Sequence, residues 1–188
     1  MSAMVDRACK PARWIALLRG INVGGKNKLP MAELTAICTG VGCTGVQTLI
    51  QSGNVVFDRL GSKTTIARDL AAAIADRSGL QVPVIVVTQK QLAAVIADNP
   101  FLTHGTDPDS LHVAFLADPP TKAAVARLDP KRSPGDAFAV GKQVVWLHLP
   151  NGVARTRLTN AWFDATLATT STIRNWRTVL QLAEMAGC

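Results

Sequence analysis

The stretch Val46-Gln-Thr-Leu-Ile-Gln-Ser-Gly-Asn-Val-Val-Phe57 contains two apolar runs separated by a short polar turn. Ser52-Gly53 at its centre is a strong hairpin signal, because glycine adopts the positive φ angles that tight turns require. The segments on either side of this hairpin have helical patterns. Residues 30–39 begin with a proline in the first turn, and residues 62–77 repeat isoleucine and leucine every four positions.

The elements around the hairpin complete a recognisable order. Apolar or β-branched runs predict strands over residues 13–19 and 82–87, so residues 13–87 follow the ferredoxin-like order β-α-β-β-α-β. A further helix is predicted over residues 89–98. The same order recurs later, with alternating strands and helices over residues 111–116, 120–128, 137–140, 144–149, 158–167, 169–173 and 174–185. We therefore predict an α+β fold made of two ferredoxin-like halves, a structural duplication.

The predicted elements divide the chain into four parts. Residues 1–12 form a flexible tail, residues 13–100 the first half and residues 110–188 the second. The linker between the halves, residues 101–109, contains His104-Gly-Thr-Asp-Pro-Asp109, a composition typical of loops.

The loop after the first strand, Arg19-Gly-Ile-Asn-Val-Gly-Gly-Lys-Asn-Lys28, is rich in glycine and lysine. In the predicted order it lies at the same end of the sheet as the hairpin turn Gln51-Ser-Gly-Asn54. Successive N–H groups in glycine-permitted conformations, together with the following helix N-terminus, favour an anion. The predicted ligand-binding residues are Arg19, Asn22, Gly24, Gly25, Lys26, Asn27, Lys28, Gln51, Ser52, Asn54 and Arg174.

A purely structural alternative exists for this loop. The glycines would then only permit a tight turn, and the lysines would face water. The spacing matches neither a P-loop nor a dinucleotide-binding fingerprint, so the sequence identifies no nucleotide motif.

The start of the last predicted helix carries Thr172-Ile-Arg-Asn-Trp176. Thr172 is predicted as the N-cap, and Trp176 as a core anchor on the apolar face. Arg174 and Asn175 would then project from the first turn, where a cation opposes the helix dipole. Such an arginine predicts an anionic partner. A carboxylate of the protein is favoured over a ligand for this role.

The net charge of +7 is unevenly distributed. Residues 1–28 have a net charge of +5 and residues 140–188 one of +3, whereas the residues between them sum to −1. A charge excess at the segments with the most unusual sequences favours polyanionic or phosphorylated partners.

Several classes of protein are disfavoured by the sequence. No apolar run approaches the roughly 20 residues that span a bilayer, and no signal-peptide core precedes the first strand, so we expect a cytoplasmic protein without a membrane partner. The four cysteines and three histidines follow no metal-ligand spacing, and we expect neither a metal nor another cofactor. Because the predicted central strands are apolar on both faces, RNA bases are not expected to stack on an open sheet.

Three segments resemble the uncharacterised bacterial domain-of-unknown-function family 1697. They are Trp14-Ile-Ala-Leu-Leu-Arg-Gly-Ile-Asn-Val-Gly-Gly-Lys-Asn-Lys-Leu-Pro-Met-Ala-Glu-Leu34, Gln51-Ser-Gly-Asn-Val-Val-Phe57 and Thr172-Ile-Arg-Asn-Trp-Arg-Thr-Val-Leu180. They occur in the expected order, and the resemblance covers roughly residues 13–186. One departure is Arg177, where the family more often has asparagine. The resemblance implies a cytoplasmic two-part α+β fold and no established activity.

Three functional hypotheses follow. The first is a protein that binds a phosphate-bearing ligand, either nucleic acid backbone or a nucleotide-like small molecule, through the glycine- and lysine-rich loop. The second is an enzyme that acts on a phosphorylated metabolite, for which the sequence identifies no acid, base or nucleophile. The third is a protein–protein interaction or assembly module, with the oligomeric state left open.

Overall fold

The structure is a computed structural model that describes residues 11–102 and 106–188. Most of the predicted tail, and His104 in the predicted linker, lie outside the described residues. The strands are β1 (Ala12–Leu18), β2 (Thr44–Leu49), β3 (Asn54–Arg59), β4 (Val84–Thr88), β5 (Leu111–Leu116), β6 (Ala137–Val140), β7 (Val144–His148) and β8 (Ser171–Asn175). The helices are α1 (Met31–Gly40), α2 (Lys63–Ser78), α3 (Gln89–Ala97), α4 (Lys122–Val125), α5 (Asn160–Leu167) and α6 (Trp176–Ala186).

The strands form two four-stranded antiparallel sheets with the same topology. Their orders are β2-β3-β1-β4 and β6-β7-β5-β8. In each sheet the first and third strands of a β-α-β-β-α-β unit lie at the centre, which is the arrangement that this element order produces. The predicted α+β fold with two similar ferredoxin-like halves is confirmed.

The central strands are covered on both faces, as predicted. Along β1, Ile15 and Leu17 belong to the apolar cluster shared with the second half, whereas Trp14, Ala16 and Leu18 pack in the cluster that contains α1 and α2. Successive side chains of a strand point to opposite faces, so an uninterrupted apolar strand requires apolar cover on both sides.

One apolar cluster joins the halves. It takes side chains from both sheets and from α3 and α6, including Trp176, Val179 and Leu182 of the last helix. Trp176 is only 3% exposed, so its predicted role as a core anchor is confirmed. Each half also has an outer cluster, formed with α1 and α2 in the first half and with α4 and α5 in the second.

The start of α6 differs from the prediction. Asn175, not Thr172, is the N-cap, and its Oδ1 accepts a hydrogen bond from Thr178 N at 2.8 Å. Thr172 and Arg174 belong to β8, where they pair with Phe115 and Val113 of β5. The reason is long-range, because β5 offers strand partners that the local helical pattern does not reveal.

The fourth helix is shorter than predicted. The Thr121 side chain caps α4 by accepting from Ala124 N at 3.1 Å. The chain then continues in tighter turns, with Arg127 N donating to Ala124 O and Leu128 N to Val125 O, both at 3.1 Å. Within residues 11–102 and 106–188, no helix combines the length and the apolar character that a membrane span requires.

Candidate functional site

The glycine- and lysine-rich loop forms a small closed turn. Lys26 N donates to Val23 O at 3.0 Å, and the two residues form an isolated β-bridge. Between them, Gly24 and Gly25 have φ angles of 58° and 76°. Positive φ at both central positions is typical of a type I′ turn and strongly favours glycine. The two glycines thus have a structural reason for their presence, as the structural alternative expected.

Two asparagines hold this loop in place. Asn22 Nδ2 donates to Leu29 O at 2.9 Å and to Gln51 O at 2.8 Å, while its Oδ1 accepts from Leu29 N at 2.8 Å. Asn27 Nδ2 donates to Gly20 O at 2.9 Å. Both amides, which were predicted to face a ligand, are therefore engaged within the protein.

The loop and the hairpin turn are in direct contact, so their predicted proximity is confirmed. Leu18 N donates to Gly53 O at 2.8 Å, in addition to the bond between Asn22 and Gln51. A Cβ atom on Gly53 would lie 2.7 Å from Leu18 Cβ and 2.8 Å from Ile21 Cδ1. Gly53 also has a φ of 73°, so this turn needs glycine for both its conformation and its close approach.

Several hydrogen-bond donors in the loop have no acceptor among the described residues. The side chains of Lys26 and Lys28 are exposed, and neither forms an ion pair with any of the residues that the structure describes. The amides of Gly24 and Gly25 likewise donate to no acceptor in that part of the chain. The adjacent helix α1 begins after Pro30 without a side-chain cap. These groups could receive an anion without displacing a protein contact.

Arg174 reaches the first half from β8. It is 9% exposed, and its guanidinium donates five hydrogen bonds, all to uncharged oxygens. The acceptors are Asn54 Oδ1 (2.6 Å), Leu18 O (2.6 Å), Thr172 Oγ1 (2.7 Å), Ile173 O (3.0 Å) and Ser52 O (3.3 Å). Three of these five acceptors lie in the first half, so Arg174 fastens the hairpin turn to the second sheet.

Among the described residues Arg174 has no carboxylate partner, so that prediction is wrong. The prediction placed Arg174 on an exposed helix turn, whereas β8 directs its side chain into the boundary between the halves. Burial lowers the pKa of Arg174 to about 10. Asn54, which is fully buried, accepts from this guanidinium and donates through Nδ2 to Ser52 Oγ at 2.9 Å and to Leu49 O at 3.2 Å.

A cleft of about 510 Å³ opens beside these groups, and we call it the junction cleft. Three of the predicted site residues line it: Arg19, Ser52 and Arg174. The lysines, the asparagines, Gln51 and the paired glycines are not part of its lining, although Val23 of the same loop is. The described residues that line the junction cleft include no aspartate or glutamate.

Arg19 has a countercharge that the sequence did not reveal. Its guanidinium forms an ion pair with Asp164 of α5 and donates to Ser171 O at 3.3 Å. Asp164 Oδ1 in turn accepts from Ser171 N and Ser171 Oγ, both at 2.7 Å. The pairing joins residues 145 positions apart, so no local pattern could have indicated it.

Two apolar residues on the rim of the junction cleft were also missed. Val23 is 63% exposed and Ile50 is 54% exposed. Ile50 has a φ of 50°, a conformation that a β-branched side chain adopts only under strain. Such strain tends to cluster at functional sites.

A second cleft of about 410 Å³ adjoins the first and shares Asn160, Ile173 and Asn175 with it. His112 lies in its wall, and burial lowers the pKa of this imidazole. The two clefts together offer space beyond that needed for a single anion.

The remaining candidates for metal or thiol chemistry lie elsewhere. Cys38 and Cys43 are buried next to each other, and the hydrogen bond that the Cys38 thiol donates to Cys43, together with burial, raises the pKa of Cys38. Among the described residues, no three histidine, cysteine, aspartate or glutamate side chains are grouped to hold a metal ion.

The fold resembles that of a solved bacterial protein. The conserved bacterial protein SP0830 from Streptococcus pneumoniae matches with a TM-score of 0.73 and 24% sequence identity, over 95% of this chain and 99% of the other. This likeness shows a shared fold. No curated protein matches the chain. The family model described as "Protein of unknown function (DUF1697)" matches residues 12–146, and the chain therefore belongs to that family.

Proposed function

We propose that the junction cleft and the adjoining loop bind a phosphate-bearing ligand, either nucleic acid backbone or a nucleotide-like small molecule. The observation that carries the proposal is the charge of the cleft wall. Two arginines line it, and none of its described lining residues carries a carboxylate. A concave surface of one charge sign attracts ligands of the opposite sign.

The two arginines differ in how far they are neutralised. Arg19 has Asp164 as its countercharge, whereas Arg174 is surrounded by uncharged oxygens. A buried cation without an ion pair is costly, and a ligand anion nearby would offset part of that cost. Lys26 and Lys28, on the exposed loop next to the cleft, add two further positive charges.

The roles of the site residues follow from which donors are free. All five N–H groups of Arg174 are already engaged, so Arg174 supplies charge and holds the hairpin turn without contacting the ligand. Direct contacts would come from Lys26, Lys28 and the amides of Gly24 and Gly25. The strained Ile50 on the cleft rim supports a binding role for this region, because such strain tends to cluster at functional sites.

The second cleft supports a ligand larger than inorganic phosphate. It continues from the junction cleft past Asn160 and Asn175 to apolar residues such as Leu149 and Leu158. A phosphate held by the loop beside the junction cleft would leave the two clefts for the remainder of a nucleotide-like molecule.

The test compares the two ligand classes. Binding of a fluorescently labelled single-stranded DNA and of a DNA duplex is followed by polarisation over a range of salt concentrations, and binding of adenosine triphosphate by calorimetry. For nucleic acid, log K should fall with log salt by about 0.7 per neutralised phosphate for the single strand and about 0.9 for the duplex. Calorimetric binding of the triphosphate alone would identify a small-molecule site.

The matched variants are Lys26→Ala with Lys28→Ala, and Lys122→Ala with Lys131→Ala, two exposed lysines of the second half. The variant without Lys26 and Lys28 should bind about tenfold or more weakly to whichever probe the wild type binds. The reason is that each lost phosphate contact contributes about 1 kcal/mol. The variant without Lys122 and Lys131 should bind that probe with nearly the affinity of the wild type. If the wild type binds none of the three probes, or if the two double variants behave alike, the proposal is wrong.

The other two hypotheses gain no specific support. The described lining of the junction cleft includes no aspartate, glutamate, histidine or cysteine that could serve an enzyme. The apolar strand faces that suggested an assembly module are buried inside the chain. We further propose a cytoplasmic location, where Cys38, Cys43 and Cys188 would stay reduced.

A further inference from the structure

A separate cavity of about 280 Å³ lies between the two halves, and we call it the inter-half cavity. Its wall is mainly apolar, with contributions from Val87, Val95, Phe115, Val144 and Trp146. Its size is close to the lower end, about 300 Å³, of the pockets that hold small molecules. None of the predicted ligand-binding residues lines it.

Lys63 is an unusual member of this wall. It lines the inter-half cavity and also a neighbouring cavity of about 260 Å³. Its Nζ is buried and has no hydrogen-bond partner among the described residues. An ammonium group in that state has lost its water without gaining a replacement acceptor, which is costly.

The position of Lys63 in its helix adds to this cost. Lys63 is the first residue of α2, where the helix dipole disfavours a cation. Asp118, in the wall of the neighbouring cavity, acts on it only at a distance, because the two side chains form no ion pair. Burial consequently lowers the pKa of Lys63. No described protein contact accounts for a cation at this position.

Three polar side chains of the wall are paired within the protein. Trp146 Nε1 donates to Val95 O at 2.9 Å. Gln91 Nε2 donates to Gln143 Oε1 at 3.3 Å, and Gln143 Nε2 donates to Ala117 O at 3.0 Å. Asp98 in this wall and Asp118 in the neighbouring one form no ion pair with Lys63 among the described residues. A molecule inside the inter-half cavity could therefore supply the missing acceptor.

We propose that the inter-half cavity binds a small apolar carboxylate, with its carboxylate accepting hydrogen bonds from Lys63 Nζ and its hydrocarbon part packed against Phe115, Val144 and Trp146. The flexible four-carbon stem of lysine lets Nζ turn toward the cavity. The wall also contains Lys142 and Asp98, both exposed, so its charged side chains sum to +1 and suit a singly charged carboxylate. A dianionic phosphate in so apolar a space would lack donors. The site shares no residue with the junction cleft.

The test is a calorimetric titration of the full chain with octanoate and, separately, with octanol, which has the same chain length without the charge. Octanoate should bind at about millimolar concentration or below, and octanol about tenfold to a hundredfold more weakly, since a charge-assisted hydrogen bond separates them. This comparison needs no variant. Absence of octanoate binding, or equal affinity for the two probes, would overturn the proposal.

Three variants sharpen the result. Lys63→Met should reduce the affinity for octanoate to that for octanol. Ala94→Phe, at an exposed small residue of the cavity wall, should weaken the binding of both probes by occupying the space. Lys90→Met, at an exposed lysine of α3 outside the cavity lining, should bind octanoate as the wild type does. If Lys63→Met and Lys90→Met bind octanoate equally, Lys63 does not hold the carboxylate.

Discussion

Arg174 and Lys63 are two cations that the fold buries where its halves meet, and neither forms an ion pair within the described parts of the chain. Arg174 uses all five of its N–H groups on oxygens of both halves. Lys63 Nζ uses none. The first cation is held by the protein in a single position, whereas the second is left with its hydrogen-bonding capacity unfilled.

The N–H donors of Arg174 are thus used by the protein, whereas those of Lys63, unpaired among the described residues, are free for a ligand. The planar guanidinium donates in several directions at once, so protein oxygens replace the water that Arg174 has lost, although its charge stays unpaired in the described parts of the chain. A buried ammonium with no acceptor gains nothing from its position unless something else supplies one. We therefore expect opposite effects on stability when each charge is removed.

The largest effect is expected for Arg174→Met. The substitution leaves buried acceptors on Asn54, Leu18 and Thr172 without their donor, and it should reduce the free energy of unfolding by about 3 kcal/mol or more. Urea denaturation measures the free energy of unfolding of each variant. Arg177→Met, which removes an exposed ion pair with Asp109, is the control and should cost far less. Equal losses of stability in the two variants would mean that the five hydrogen bonds of Arg174 contribute little to the free energy of unfolding.

A smaller loss of stability is expected for Gly53→Ala. Gly53 keeps the hairpin turn close enough to β1 for Arg174 to reach it, and the new Cβ would meet Leu18 Cβ at 2.7 Å. The left-handed φ and the overlap together should cost about 2–3 kcal/mol in unfolding free energy.

Gly24→Ala is the matched control for this prediction. Gly24 also has a positive φ, 58°, but an added Cβ there would meet nothing within 4 Å. Only the conformational cost of about 1 kcal/mol is expected. Should both alanine variants lose the same stability, the close approach at Gly53 would be unimportant.

The smallest effect, opposite in sign, is expected for Lys63→Met. Removing a buried ammonium without a partner should raise the free energy of unfolding by about 1 kcal/mol at neutral pH. Because the folded pKa of Lys63 lies below the ordinary value of 10.5, the unfolded chain binds more protons between the two values. The stability of the wild type should therefore rise with pH in that window, and the advantage of the variant should shrink.

Urea denaturation of both proteins at neutral pH and near pH 10 checks this expectation. Lys90→Met serves as the reference for the loss of an exposed lysine in a neighbouring helix. A Lys63→Met protein less stable than the wild type at neutral pH would show that the lysine has a structural partner.

The fold could be predicted in large part because its signals are local. Ser52-Gly53 predicts the hairpin, and the repetition of the same element order predicts the two similar halves. The same reasoning brought the glycine- and lysine-rich loop next to that turn, where Asn22 now bonds to Gln51.

The features that escaped prediction depend on contacts distant in sequence. Arg174 was assigned to a helix because its strand pairing is with Val113, which the local pattern cannot show. Asp164 became visible only through its ion pair with Arg19. Lys63 looks like an ordinary first-turn surface residue until the packing of the second half covers its amine.

Helix α6 has a consequence for the order in which the chain is assembled. Its eleven residues, at the end of the sequence, supply Trp176, Val179 and Leu182 to the cluster that also buries Ile15 and Leu17 of the first strand. A nascent chain that emerges from the ribosome N-terminus first must hold those early residues without their final neighbours until α6 has been synthesised. The two repeated units are therefore alike in topology, but we expect the first to complete its packing only when the second is present.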